Sequence, residues 1–339
     1  MKSIFSRTRA GWLSICITFV LSCCILISSA KTAVSQIQVR TDLVVVPVSV
    51  KGSDGDFVTG LEKEDFKVLE DGKQQSILNF DSDPQPMSVA VIIDDGVANN
   101  ALQRVAPLLF VITAGFTPDD EVAVFRFNQI VDRLSDFSSD PKELEKSFKV
   151  ISTIADAHPS GQQELITGGP GWLRSTLRVF DFGNKTGNDN RVIHNAVYEA
   201  ANALKNRSND RRRIILLISD GQGVGKGNVH SLDQNTDLLL RNNIQVFAVS
   251  TEYARFGSFG PLSSYANVTG GDVRDGQSQV SMEHAFNQIT EEARRQYVLG
   301  YRSRNNEGTP GEFRTIEVRM RQPNLKVTHR KGYAWYSTQ

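Results

Sequence analysis

Two carboxylate-bearing turns in this chain have the residue types and the setting to do chemistry. Asp94 and Asp95 end a near-continuous apolar run, Ser88-Val-Ala-Val-Ile-Ile-Asp94-Asp95, and Gly96-Val97-Ala98 follows them. Asp220-Gly221 ends a second such run, Arg213-Ile-Ile-Leu-Leu-Ile-Ser219. Acidic turns at the carboxyl ends of buried parallel strands lie where an open α/β sheet receives ligands, and where a metal-binding loop is expected. His194 lies on one helical segment with Arg191 and could face that place.

Other arrangements fail on spacing. Ser219-Asp220 has no Gly-x-Ser-x-Gly elbow around its serine, so a hydrolase nucleophile is not supported. The glycines from Gly221 to Gly227 follow a strand, but Asn228 stands after the last of them, and a phosphate loop needs Lys and then Ser or Thr at set spacing. No nucleophile–base pair and no complete metal set can be assembled, which points away from an enzyme. Arg211-Arg212-Arg213 precedes a strand and reads as a solvated edge.

The elements that must position these residues fall into three blocks. From Ile37 to Val50 the chain is β-branched, with Pro47 marking an edge strand. Asp71-Gly72 between Phe66–Glu70 and Gln75–Phe80 is a hairpin signal. From Met87 strands alternate with helices: Ser88–Asp94, a helix at 99–114, strands at 121–128 and 130–137, and a helix opened by Asp140-Pro141. A long Gly- and Pro-punctuated stretch at 155–188 exceeds ordinary connections and reads as a lid, a specificity loop or a disordered insert. The alternation resumes at Arg191–Asn206, Arg213–Ser219, Leu232–Asn242, Ile244–Ser250 and Met282–Arg295, and Tyr297–Tyr301 closes the sheet. A β tail at Phe313–Arg321 and Leu325–Arg330 cannot bury its apolar face alone, since an isolated hairpin is marginal. The expected fold is α/β: a doubly wound, mostly parallel sheet. A flanking β-sandwich-like domain, built from N- and C-terminal strands, frames it. The expected bounds are 36–85 for the N-terminal β unit, 86–303 for the α/β domain, and 304–339 for a tail packing on 36–85.

The chain has 339 residues, 40% hydrophobic and 22% charged, with zero formal net charge, so no overall field favours nucleic acid. Lys2, Arg7 and Arg9 precede an apolar run from Trp12 to Ile27 and then Ser28-Ser29-Ala30. Residues 1–35 therefore read as a secretory signal peptide cleaved after Ala30 or Ser35. A retained signal anchor, or lipidation at Cys23 in Val20-Leu21-Ser22-Cys23, are the alternatives. Cys16, Cys23 and Cys24 all lie in that segment, so the mature chain has no disulfide or thiolate site. It would be periplasmic, outer-envelope or secreted, with no transmembrane segment after cleavage.

The run at IIDDG, the helix start RVIHNAVYEA, and the strands IILLISDG and IQVFAVS together resemble a von Willebrand factor A domain over roughly Met87 to Tyr301. The flanks, VTGLEKEDFKVLEDGKQQSI and YVLGY with GEFRTIEVRM, resemble a secreted bacterial family related to it. The resemblance implies a Mg²⁺ or Ca²⁺ at the sheet top, held by two serines, a threonine and carboxylates, with an open position for a partner's carboxylate. Asp94 and Asp220 match the aspartates, while Gly96 and Ala98 replace the serines and Arg191 the threonine. Three readings follow. Asp94, Asp220 and the adjacent Asp95 hold a cation with extra waters; or the Arg191 guanidinium takes the cation's space and neutralises Asp94 and Asp220; or the aspartates cap turns and helices. The ligand face would comprise Asp95, Gly96, Arg191, His194 and Gly221. The expected role is a non-enzymatic protein-binding or adhesion-type module for a protein or extracellular ligand; the alternative is an accessory or structural subunit of a bacterial envelope assembly.

Overall fold

The computed structural model describes residues 43–97, 99–156, 190–222, 225–252, 259–305 and 307–336. It opens with strands: β1 (Leu43–Lys51), β2 (Phe66–Glu70), β3 (Lys73–Gln75) and β4 (Ile77–Asp81). Asp71 and Gly72 both have positive φ, 47° and 76°, the type I′ geometry that an Asp-Gly pair adopts most readily.

The alternating part follows: β5 (Met87–Asp94), α1 (Asn99–Ala114), β6 (Glu121–Phe127), β7 (Val131–Ser138), α2 (Pro141–Asp156), α3 (Ile193–Leu204), β8 (Arg212–Ser219), α4 (Leu232–Arg241), β9 (Ile244–Ser250), α5 (Pro261–Thr269), β10 (Val273–Asp275) and α6 (Gln279–Arg294). These strands form one sheet in the order β10-β9-β8-β5-β6-β7. It is parallel except for the antiparallel β6–β7 pair. Every residue of β5, β8 and β9 is buried, as expected for strands covered on both faces. Val89, Val91 and Ile93 pack with α1, α2 and α6. Ala90 and Ile92 pack on the other side with α3, α4 and α5. The chain moves from β5 outward to β6 and β7, then returns to β8 on the opposite flank of β5. The crevice beyond β5 and β8 is therefore the switch point of the sheet, where such folds take ligands.

The last strands are β11 (Tyr297–Arg302), β12 (Phe313–Met320), β13 (Lys326–His329) and β14 (Gly332–Ala334). They correct two expectations. β11 does not close the α/β sheet; it pairs antiparallel with β1 and β4, so the α/β part ends near Gln296 and not at 303. An apolar β-type run such as YVLGY fits any half-buried sheet, and its own sequence does not select one. Nor do β12 and β13 form a hairpin. β12 pairs with β2 and β14, and β13 with β1. The turn between them, with Asn324 at φ 68°, carries the chain from one sheet to the other. Two four-strand sheets result, β13-β1-β11-β4 and β14-β12-β2-β3. Val46, Val48, Val68, Leu299, Tyr301, Ile316 and Val318 fill the core they share. Pro47 also lies in an inner strand, not an edge strand. It faces Val298 of β11, while β13 begins pairing only at Val48, so the missing N–H falls where β1 has one neighbour.

The arginines at the start of β8 are not a solvated edge. Arg212 donates to the side-chain and backbone oxygens of Gln296 at 3.0 and 2.7 Å, and Gln296 donates to Ser49 of β1 at 3.2 Å. Arg213 donates to the carbonyls of Asn242 and Arg207 at 2.9 and 2.6 Å. Long side chains at the amino ends of parallel strands reach unpaired loop carbonyls there, and burial is then offset by charge-assisted bonds.

Candidate functional site

β5 and β8 run side by side with Ile93 opposite Ile218, so Asp94 and Ser219 reach the sheet top at the same level. Asp94 is buried. Its Oδ2 accepts from Ser219 Oγ at 2.6 Å and from Arg191 Nη1 at 3.1 Å. Its Oδ1 accepts from the Gly96 amide at 3.0 Å. The same Arg191 Nη1 donates to Asp220 Oδ1 and Oδ2 at 2.9 and 3.0 Å. Gln222 N adds a bond to Asp220 Oδ1 at 2.8 Å. The turn is set by Gly221, at φ +69°, whose amide donates to Ser219 Oγ at 3.1 Å.

Backbone bonds fix Arg191. Val192 N donates to Asn128 O at 2.9 Å, and Gly225 N to Arg191 O at 3.2 Å. Val192, at the start of α3, has no side chain able to cap it. Asn228 does so from another loop, its Oδ1 accepting from the amides of His194 and Asn195 at 2.8 and 3.2 Å. Its Nδ2 reaches Arg191 O at 3.2 Å. Distant capping thus holds the residue before the helix in register with the two carboxylates.

Burial raises the Asp94 carboxyl to about 7; Arg191 and Ser219 pull it down and Asp220 pushes it up. Asp95 points elsewhere. It pairs with Arg126, which also pairs with Asp132, and burial outweighs Arg126 to raise Asp95 above its ordinary value. His194 faces the helix layer: its Nδ1 lies 2.7 Å from Tyr265 OH, Asn235 also bonds that hydroxyl at 2.8 Å, and burial lowers the imidazole. The structure therefore brings Asp94, Asp220, Gly96, Gly221 and Arg191 together and directs Asp95 and His194 into neighbouring clusters. Ala98 and most of the 155–188 segment lie outside the described residues.

A divalent cation does not fit this donor set. Mg²⁺ needs about six oxygens in near-octahedral array, and the oxygens of Asp94 and Asp220 are engaged by Arg191, Ser219 and backbone amides. Gly96 supplies no oxygen. A Cβ at that position would lie 2.7 Å from Arg191 Cδ and 2.8 Å from Asn128 Oδ1.

Sequence reasoning passed over Arg126, Asn128, Asn228 and the bond made by Ser219. Arg126 carried a signal, a lone charge inside the apolar run EVAVFRF, because buried charges require partners. Asn128 follows a strand parallel to β5, so the rule that sites gather at strand ends reaches it too. Asn228 carried no local signal.

No protein-family profile matches the chain, and no curated protein matches it. Solved structures do. An aerotolerance-related membrane protein from Bacteroides fragilis, carrying multiple mutations to serine, is 13% identical over 61% of this chain and 100% of its own, with a TM-score of 0.40. A von Willebrand factor type A protein from Catenulispora acidiphila is 8% identical over 88% of this chain and 75% of its own, at 0.42. Proximal thread matrix protein 1 from the mussel byssus, with a zinc-occupied MIDAS motif, is 14% identical over 66% of this chain and 49% of its own, at 0.42. This chain thus spans about half of that protein. The α/β sheet between two helical layers rests on this chain's own topology and packing, and the site stands on its own residues. Among the described residues no helix is long and apolar enough to cross a membrane.

Proposed function

We propose that this chain, whose α/β part has a von Willebrand factor A-type fold, is an exported, non-enzymatic binding module. Its working face is the switch-point end of the parallel sheet, and its ligand is a protein or other extracellular molecule. Export rests on the signal-peptide pattern at residues 1–35. One observation carries the binding reading: Asp94 at the end of β5, and Asp220 and Arg191 from two separate loops, converge beyond the paired ends of β5 and β8. Folds of this kind use that crevice for ligands, and a charged cluster buried there at a cost in desolvation is more characteristic of a site than of a scaffold.

The test is photo-crosslinking from positions 222 and 226, which rim the face. For the partner so identified, Gln222→Lys and Lys226→Glu should each weaken binding by about tenfold while the unfolding midpoint stays put. Unchanged affinity in both would remove the face from consideration. A second reading, an accessory subunit of an envelope assembly, is favoured by the edge strand β4, which leaves Leu78 57% exposed. Crosslinks confined to position 78 would support that reading instead, with the strand-end cluster a remnant.

A further inference from the structure

We infer that Gly96 and Arg191 are a matched pair that gives this site a built-in cation, and that the site is indifferent to divalent metal. The inference does not depend on whether the face binds a partner.

Three observations carry it. The first is position. A single guanidinium nitrogen, Arg191 Nη1, lies 2.9–3.1 Å from three carboxylate oxygens of Asp94 and Asp220. It occupies the point where their charges converge, and it supplies the positive charge that two closely placed carboxylates require. The second is space. The aliphatic stem of Arg191 runs directly over position 96, and a Cβ there would sit 2.7 Å from Arg191 Cδ. Ordinary van der Waals separations begin near 3.5 Å, so any residue other than glycine forces the arginine aside. Asn128 Oδ1 would meet the same Cβ at 2.8 Å. Gly96 has no positive φ, so backbone conformation does not demand glycine there; the side chains of Arg191 and Asn128 do. The third is anchoring. Arg191 O accepts from Gly225 N and Asn228 Nδ2, and the next amide is bound to Asn128 O. The backbone cannot swing to withdraw the side chain without breaking these bonds.

Glycine at 96 and arginine at 191 therefore make sense only together. A serine at 96 would offer an oxygen to a metal but would evict the guanidinium; the guanidinium in place leaves a metal no free carboxylate oxygen.

A double-mutant cycle on the full mature chain tests this, read by thermal unfolding. Gly96→Ser should lower Tm by about 4 °C through overpacking. In an Arg191→Ala background the same change should cost less than half as much, because the contact with Arg191 Cδ is gone and the end of the Asn128 side chain can move into the space it leaves. Additive shifts would overturn the pairing. Should Gly96→Ser alone fail to fold while Gly96→Ser/Arg191→Ala folds, the coupling is established in its strongest form; failure of both would refute it, since relief was the prediction. Calorimetric titration of the wild-type protein with MgCl₂ and with CaCl₂ gives the second readout. No binding heat at millimolar metal is expected, and Tm should be equal in chelator and in either salt. Micromolar affinity for either ion, lost in Asp94→Asn, would overturn the built-in cation.

Discussion

The two ends of the parallel sheet carry the same residue types and treat them in opposite ways. At the amino ends of the strands, Asp120 accepts from Met87 N and Thr117 N, both at 2.7 Å, and from Arg294. Glu121 accepts from Ser88 Oγ at 2.5 Å and from Arg207 through two nitrogens. Burial pushes both carboxyls up, but these donors outweigh it and hold them below their ordinary values. At the carboxyl ends, Asp94 and Asp220 share one nitrogen of Arg191, and burial prevails at Asp94. Asp94 and Glu121 each accept three side-chain or backbone bonds; the difference lies in whether the arginine is shared, since Arg191 also serves Asp220. An end where each acid has its own arginine acts as a brace. An end where two acids divide one guanidinium leaves the buried Asp94 carboxyl raised.

The largest expected effect breaks the brace. Asp120→Ala strands two backbone amides and Arg294, and should cost about 3–5 kcal/mol in urea unfolding; a loss below about 1 kcal/mol would mean the amino end is no more fixed than the other. Next comes pH. Because the Asp120 and Glu121 values are depressed, the stability they contribute is present above the ordinary carboxylate range and is lost as pH falls through their folded values. Asp94 has the opposite sign. Its folded value, raised from 3.8 to about 7, gives stability that is complete below 3.8 and is lost as pH rises through 7. Urea midpoints should therefore fall on both sides of a maximum. Asp94→Asn should flatten the neutral limb, worth on the order of a few kcal/mol, and Asp120→Asn the acid limb. If Asp94→Asn leaves the neutral limb unchanged, the contrast between the ends is wrong. The smallest effect sharpens the comparison: Arg207→Lys replaces a two-nitrogen grip on Glu121 at a residue about a third exposed, and should cost less than about 1 kcal/mol at pH 7.

Local pattern made much of this architecture readable. The α1 helix occupies Asn99–Ala114 and β9 occupies Ile244–Ser250, the spans their apolar periodicity marks, because helix and strand differ in how often a side chain returns to the core. Asp140 accepts from Lys142 N at 3.0 Å at the start of α2, in keeping with its capping sequence. Partner choice was less readable. Tyr297–Arg302 is β-type by composition, yet only the antiparallel fit between β1 and β4 decides its sheet. Arg212 and Arg213 look like surface charge until Gln296 and the carbonyls of Arg207 and Asn242 are brought against them.

What the sequence by itself determined is where the acids stand. A buried strand must end in a turn, and Asp94 and Asp220 stand at such ends because apolar runs stop there. Only the tertiary structure decided what faces them. Arg191 is 97 residues from Asp94 along the chain, and Gly96 became a requirement only when the side chains of Arg191 and Asn128 came to lie against it. Periodicity is a property of neighbouring residues, whereas neutralising a buried charge depends on distances of about 3 Å between groups that the chain holds far apart.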